Sequence, residues 1–143
     1  MFDPTEFLAV ARALVGNSGS SGVSPVARAG RVRTVYGRVY YALYLLVRSE
    51  LERRHRINPR KLQHGAVYSK LQSSRADAEV RHLGRELQRL YTLRQKADYE
   101  LVPLHGWQRQ MEDERAASKL INLAADWAAN LHRLDFSSVV PLF

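Results

Sequence analysis

Arg94 occupies a position at which packing alone would favour an apolar residue. It follows a series of leucine and valine side chains that recur every three or four residues, as on the buried face of an amphipathic helix: Val80, Leu83, Leu87 and Leu90. The next positions in this series are Arg94 and Ala97. A guanidinium there loses water, so its five donors need a carboxylate, carbonyl groups or an anionic ligand. Either such a partner satisfies Arg94, or its stem packs and its head stays hydrated at a helix end, as is common for charged residues there.

Cysteine and histidine content limits the chemistry that the chain can perform. There is no cysteine, which excludes thiolate catalysis and thiolate metal sites. No pair of histidines has the spacing of a metal site, and we predict neither a metal nor a cofactor. His55 and His82 lie among arginines and are expected to be exposed, whereas His132 lies near a helix end. His64 begins a short helix, where it can cap the helix or bond a carbonyl.

Aromatic side chains are concentrated on the predicted second helix, which carries Tyr36, Tyr40, Tyr41 and Tyr44. One stripe of this helix is apolar and predicts core packing: Val32, Tyr36, Val39, Leu43 and Leu46. Another stripe has a mixed character: Thr34, Arg38, Tyr41, Leu45 and Arg48. The tyrosine cluster is explained either by core packing with bonded hydroxyls or by a wall on which a base stacks.

Positive charge is concentrated in one part of the chain. The net charge is +8, and residues 28–61 carry ten basic side chains against two acidic ones, which is also +8. The remaining 12 basic and 12 acidic residues cancel. Such a block on a long helix and the loop after it can attract a phosphate backbone, or it can be a solvated basic face.

Helical signals extend over most of the 143 residues, with almost nothing typical of a strand. Asp3, Pro4 and Glu6 form a helix start. Residues 16–24 form a flexible loop by composition, and the loop is not a P-loop because Val23 and Ser24 follow its last glycine. We predict helices to about Val15, from Pro25 to near Arg56, from Leu62 to Ser73, from Ser74 to the 98–103 region, and again from Trp107. Four main helices with short connections predict an all-α antiparallel bundle in a single domain, residues 1–143.

The two ends of the chain carry further expectations. Acidic side chains near the start argue against a secretory signal, and the longest apolar run, residues 39–47, is too short to span a bilayer. We therefore expect a cytoplasmic protein with no membrane contact. The apolar tail, residues 135–143, is expected either to fold back over the bundle or to dock on a partner.

Four segments together resemble the small prokaryotic HEPN proteins, in order and in spacing, from about residue 5 to residue 134. They are Arg31, the GRVYYALY segment at 37–44, the HGAV segment at 64–67 and the LYTLRQKADY segment at 90–99. The similar subgroup has an SRAYYA-like second helix, an HG or HS segment and an LRxxADY end to the third helix. The resemblance implies an up-and-down bundle of four to five helices, usually a homodimer. It also implies frequent genetic pairing with a minimal nucleotidyltransferase and, in many cases, activity as an RNase toxin.

The nuclease motif of that family is an arginine followed, after four to six residues, by a histidine. In the chemistry that the resemblance implies, which is independent of metal, the histidine moves protons and the arginine offsets charge in the transition state. Arg94 matches the arginine, but Tyr99 stands where the histidine could first occur, and His105 is too far along. A phenol with a pKa of about 10 is a poor base at neutral pH. His64 remains a candidate if the fold brings it to the cleft.

Three functions follow from these observations. The first is a metal-independent RNase toxin in which Arg94 acts with His64 or Tyr99. The second is a noncatalytic module that binds RNA or a nucleotide, or holds a nucleotidyltransferase partner, through Arg38, Tyr41, Lys96 and Asp98. The third is a dimerising scaffold in which Arg94 and Asp98 form a buried ion pair. Tyr99 favours the second function over the first, and the basic block disfavours the third.

Overall fold

A computed structural model describes residues 3–16, 25–99 and 114–143 of the chain. It contains five α-helices: α1 (Thr5–Gly16), α2 (Pro25–His55), α3 (His64–Leu71), α4 (Ala78–Tyr99) and α5 (Glu114–Asn130). Three single turns of 3-10 helix follow the second and fifth helices, at Pro59–Lys61, Leu131–Arg133 and Val140–Leu142. No strand occurs within these residues, so the predicted all-α class is confirmed for them. The predicted loop at 16–24 began one residue too early, because Gly16 is the last residue of α1; the rest of that loop and the predicted helix start at Trp107 lie outside the described residues.

Local sequence explains where the described helices begin and end. The Asp3 carboxylate accepts a hydrogen bond from the Thr5 backbone N–H at 2.9 Å, as the predicted N-cap requires. α2 ends because Arg56 adopts a left-handed conformation with φ of 55°. The Ile57 N–H then donates to the Leu51 carbonyl at 3.2 Å, which holds the turn that follows α2.

α2 is the central helix of the bundle. It packs against α1, α4 and α5, while α3 packs against α4. The predicted apolar face of α4 is buried, as is the apolar stripe of α2 apart from partly buried Leu46: Val80, Leu83, Leu87, Leu90, Val32, Tyr36, Val39 and Leu43. α2 therefore packs directly on the helix that carries Arg94, and its tyrosine side chains reach His64 of α3.

Gly84 permits the close approach of α3 to α4. The sequence indicates only a mild helix weakness at this glycine. In the fold, a Cβ at this position would lie 2.9 Å from Leu71 Cβ and 3.0 Å from the Tyr68 carbonyl oxygen. The close packing of α3 on α4 thus requires a residue without a side chain at position 84.

The C-terminal segment folds back on the helices, which is the first of the two predicted outcomes. Phe136 and Val139 are fully buried. The ring of His55 meets that of Phe136 edge-on at 6.1 Å between centroids, so His55 is half-buried and the expectation that it is exposed is wrong. Lys61 donates to the Phe143 carbonyl at 3.3 Å, which ties the tail to the 3-10 turn before α3.

None of the helices in the described part of the chain is both long and apolar enough to cross a membrane.

Candidate functional site

Three helices bring aromatic and basic side chains together in what we call the tyrosine–histidine–arginine cluster: Tyr40, Tyr41 and Tyr44 of α2, His64 of α3, and Tyr91 and Arg94 of α4. Tyr40 and Tyr44 are one turn apart, and so are Tyr91 and Arg94, so each pair faces the same side of its helix. His64 is the first residue of α3 and enters between them. The fold therefore joins residues that are separated by up to 54 positions.

His64 is held in place by two tyrosines of α2. The Tyr40 hydroxyl is hydrogen-bonded to His64 Nδ1. The Tyr44 ring lies 4.2 Å from the imidazole, centroid to centroid, and its hydroxyl donates to the Leu62 carbonyl at 2.5 Å. The Tyr91 ring stacks on the other side at 5.7 Å. These contacts fix both the imidazole and the chain segment that leads to it.

The protonation states of this group follow from burial and from nearby cations. Burial raises the pKa of the Tyr40 hydroxyl far above its usual value, so the phenol keeps its proton and is able to donate to Nδ1. Burial, followed by the charges of Arg94 and Arg48, lowers the pKa of His64, so the imidazole is neutral at pH 7. In the tautomer in which Nδ1 accepts from Tyr40, the proton of the imidazole is on Nε2.

Arg94 is partly buried, and its guanidinium lies over tyrosine rings. Its Cζ is 4.8 Å from the centroid of Tyr41, 5.8 Å from that of Tyr91 and 5.9 Å from that of Tyr40. Cation–π attraction of this kind offsets part of the free energy that it costs to remove water from the guanidinium. The Arg94 stem lies near Gly37, where an added Cβ would make an ordinary van der Waals contact with Arg94 Cγ at 4.0 Å.

Arg38 and Tyr41, both predicted to bind RNA or a nucleotide, belong to the same surface. The Arg38 Cζ lies 5.2 Å from the Phe7 ring centroid, and the Phe7 ring lies 6.4 Å from that of Tyr41. The rings of Phe7 and Tyr41 thus lie between Arg38 and Arg94. Both arginines are partly buried, with their heads near aromatic faces.

The remaining predicted residues are less closely connected with this cluster. Lys96 is partly buried on α4 and makes no ring or ion-pair contact with the cluster among the residues described. Asp98 and Tyr99 form the last turn of α4, but their side chains lie outside the described part of the structure. The roles of Asp98 and Tyr99, including the Arg94–Asp98 ion pair, stay predictions.

A groove of about 550 Å³ borders the cluster on the side of the loop between α2 and α3. It is lined by Tyr44, Arg48, Pro59, Arg60, Leu62, Gln63 and His64. The Arg48 Nε bonds the Glu52 carboxylate at 2.8 Å, and this bond raises the pKa of Arg48. A larger groove of about 610 Å³ lies between α4 and α5 around Trp127 and shares no residue with the cluster. The smaller groove therefore has the closer connection with His64.

Sequence reasoning missed Tyr91 and the groove arginines Arg48 and Arg60 as site residues. The available signal was the spacing of four that puts Tyr40, Tyr44 and Arg48 on one line of α2. Arg60 had no comparable signal, because it lies in a loop whose course depends on the Arg56 turn and on the Tyr44 hydroxyl.

The arrangement can bind an anion and stack a planar group. A fixed guanidinium supplies charge, the His64 Nε2 proton supplies a donor, and the partly buried rings of Tyr41 and Tyr91 supply stacking surface. Across residues 3–16, 25–99 and 114–143, no group of three or more histidine or acidic side chains is arranged to hold a metal ion.

Comparison of the chain with models of known protein families, with characterised proteins and with solved structures gave no match in any of the three.

Proposed function

We propose that this chain binds RNA or a nucleotide through the tyrosine–histidine–arginine cluster. The observation that carries the proposal is the Arg94 guanidinium, held 4.8 Å from the Tyr41 ring centroid beside a neutral His64. Phosphate binds guanidinium groups well, and bases stack on tyrosine and arginine planes. The cluster also adjoins the basic block at 28–61, whose field attracts a phosphate backbone.

A second candidate is a metal-independent endoribonuclease, which the proximity of His64 and Arg94 favours. In that reaction, the histidine would take the proton of the ribose 2′-hydroxyl while the arginine offsets charge on the phosphate. Two features weigh toward binding without cleavage. Tyr99 occupies the first position where the HEPN motif allows its histidine. In the tautomer in which His64 Nδ1 accepts from the Tyr40 hydroxyl, the neutral ring also offers a donor at Nε2 and no free acceptor.

The cellular setting that we propose comes from the HEPN resemblance. We infer an up-and-down HEPN-like bundle that forms a homodimer in the cytoplasm, in a toxin–antitoxin or defence module with a minimal nucleotidyltransferase partner. A dimerising scaffold without a ligand is the alternative. The partly buried aromatic and cationic side chains of the cluster argue for a ligand, because a scaffold core is better served by apolar groups.

The test is binding of a fluorescein-labelled single-stranded RNA measured by fluorescence anisotropy. We expect affinity to fall as salt rises and Arg94→Ala to weaken binding about tenfold or more, as for loss of a charge-assisted hydrogen bond. Arg85→Ala is the control, because Arg85 is exposed on α4 and its loss removes the same charge. Tyr99→Phe should cost about 0.5 to 1.5 kcal/mol of binding free energy.

Other outcomes discriminate between the candidates. Rapid RNA cleavage in EDTA that is lost in His64→Ala would establish the nuclease. If no RNA or nucleotide binds and Arg94→Ala lowers only thermal stability, the scaffold alternative is correct. Equal losses in Arg94→Ala and Arg85→Ala would show nonspecific attraction to the basic surface.

A further inference from the structure

The cluster and its neighbouring groove form one continuous line along α2. Tyr40, Tyr44 and Arg48 follow each other at intervals of four residues, so Arg48 lies about 12 Å along the helix axis from Tyr40. The Arg94 guanidinium is near the Tyr40 and Tyr41 end, 5.9 Å and 4.8 Å from the two ring centroids. Arg48 lines the groove at the other end, and His64 lies between.

The two groove arginines differ in how they are engaged. Arg48 is bonded to Glu52, which neutralises part of its charge and orients it. Arg60 is exposed, and its guanidinium makes no hydrogen bond or ion pair with any residue that the structure describes. Its backbone is nevertheless well held, because the Arg60 N–H donates to the Asn58 side chain at 3.0 Å. Arg60 thus combines a fixed backbone with a cation available to a ligand.

The geometry points to a second phosphate subsite in the groove lined by Arg48 and Arg60, so that the ligand carries one phosphate at Arg94 and another at Arg60. This inference rests on the proposed function, which it narrows to ligands with at least two phosphates. Guanidinium groups bind phosphate oxygens in pairs of parallel hydrogen bonds. The groove volume of about 550 Å³ is within the range of small-molecule sites.

His64 would then lie beneath the segment that joins the two phosphates. The described side chains that face it are Tyr40, Tyr41, Tyr44 and Arg48 from α2 and Tyr91 and Arg94 from α4. None of these described side chains is acidic, so none of them repels an anion, and a proton on Nε2 would add a donor. The Glu52 carboxylate is engaged by Arg48.

The test compares two dinucleotides that differ by one phosphate. ApA has a single internal phosphate, and 5′-phosphorylated pApA has two. Dissociation constants are measured by NMR titration at equal ionic strength. We expect pApA to bind the wild-type protein about tenfold more tightly than ApA, the effect of one additional charge-assisted hydrogen bond.

Two variants separate the subsite from general charge attraction. Arg60→Ala should bring the ratio of the two dissociation constants close to one and leave ApA binding within about twofold, since Arg60 is exposed and does not support the fold. Arg85→Ala, an equal change in net charge, should keep the tenfold ratio. Arg94→Ala should weaken both ligands.

The outcomes that overturn the inference are distinct from those that overturn the proposed function. If ApA and pApA bind the wild type equally, the second subsite does not exist and the proposed function stands. The subsite is also refuted if Arg60→Ala and Arg85→Ala retain the same ratio. If neither dinucleotide nor a longer RNA binds, the inference and the proposed function both fail.

Discussion

Replacement of Gly84 by alanine tests the contact that positions α3, and with it His64. The new Cβ would lie 2.9 Å from Leu71 Cβ and from Gln72 Cγ, and 3.0 Å from the Tyr68 carbonyl oxygen. The Gln72 side chain can move aside. The other two atoms belong to the body of α3, so the helix itself has to shift.

The expected magnitude is the balance of two opposing effects. Alanine is favoured over glycine in a helix interior by about 0.5 to 1 kcal/mol. Overpacking of a tight contact costs about 1 to 3 kcal/mol. We therefore expect Gly84→Ala to lower the free energy of unfolding by about 1 kcal/mol, and by roughly 2.5 kcal/mol at most. Gly37→Ala is the matched control, because a Cβ there meets only Arg94 Cγ at 4.0 Å and should stabilise by about 0.5 to 1 kcal/mol.

Urea unfolding followed by circular dichroism, with linear extrapolation to water, measures both changes. The same glycine-to-alanine change is thus expected to have opposite signs in α2 and α4. Gly84→Ala should also weaken RNA binding under the proposed function, because α3 begins at His64. The reasoning is refuted if Gly84→Ala is as stable as Gly37→Ala.

Four further predictions address the site, the tail and the assembly. Tyr40→Phe removes the hydrogen bond to His64 and should lower the free energy of unfolding by about 0.5 to 1.5 kcal/mol in the same urea experiment; an unchanged value would contradict the bond. Burial and then the Arg94 charge lower the pKa of His64 below its usual 6.5, so Arg94→Gln should raise that pKa in an NMR titration. As the pH is lowered, the His64 imidazole takes up its proton at a higher pH in the unfolded chain than in the folded protein. The free energy of unfolding of the wild type should therefore fall as the pH drops below about 6.5, and His64→Gln should remove that part of the pH dependence. Phe136→Ala should cost about 3 to 5 kcal/mol, because the ring is fully buried, whereas Val10→Ala at a side chain that is 44% exposed should change stability by less than about 0.5 kcal/mol. Sedimentation at tens of micromolar should show the proposed homodimer, and a monomer at that concentration would refute it.

The helical class, the main helix bounds and much of the core follow from the sequence, because local interactions determine them. The Asp3 cap acts within one turn, and the apolar spacing on α4 requires only that this face be covered. Arg94 was predicted as a site residue for the same reason, since a charged residue interrupts an apolar series. Tyr41 and His64 were also predicted from their segments, and all three lie in the cluster.

Tertiary structure decided how these residues are combined. Nothing local relates Tyr40 to His64, 24 positions later, or Arg94 to Tyr41, yet helix packing brings each pair into contact. The requirement for glycine at position 84 likewise depends on how closely α3 approaches α4. The groove beside Arg60 follows from those contacts. Periodicity specifies which face of a helix is buried, but the partner that covers it and the depth of each contact depend on side-chain shapes from distant parts of the chain.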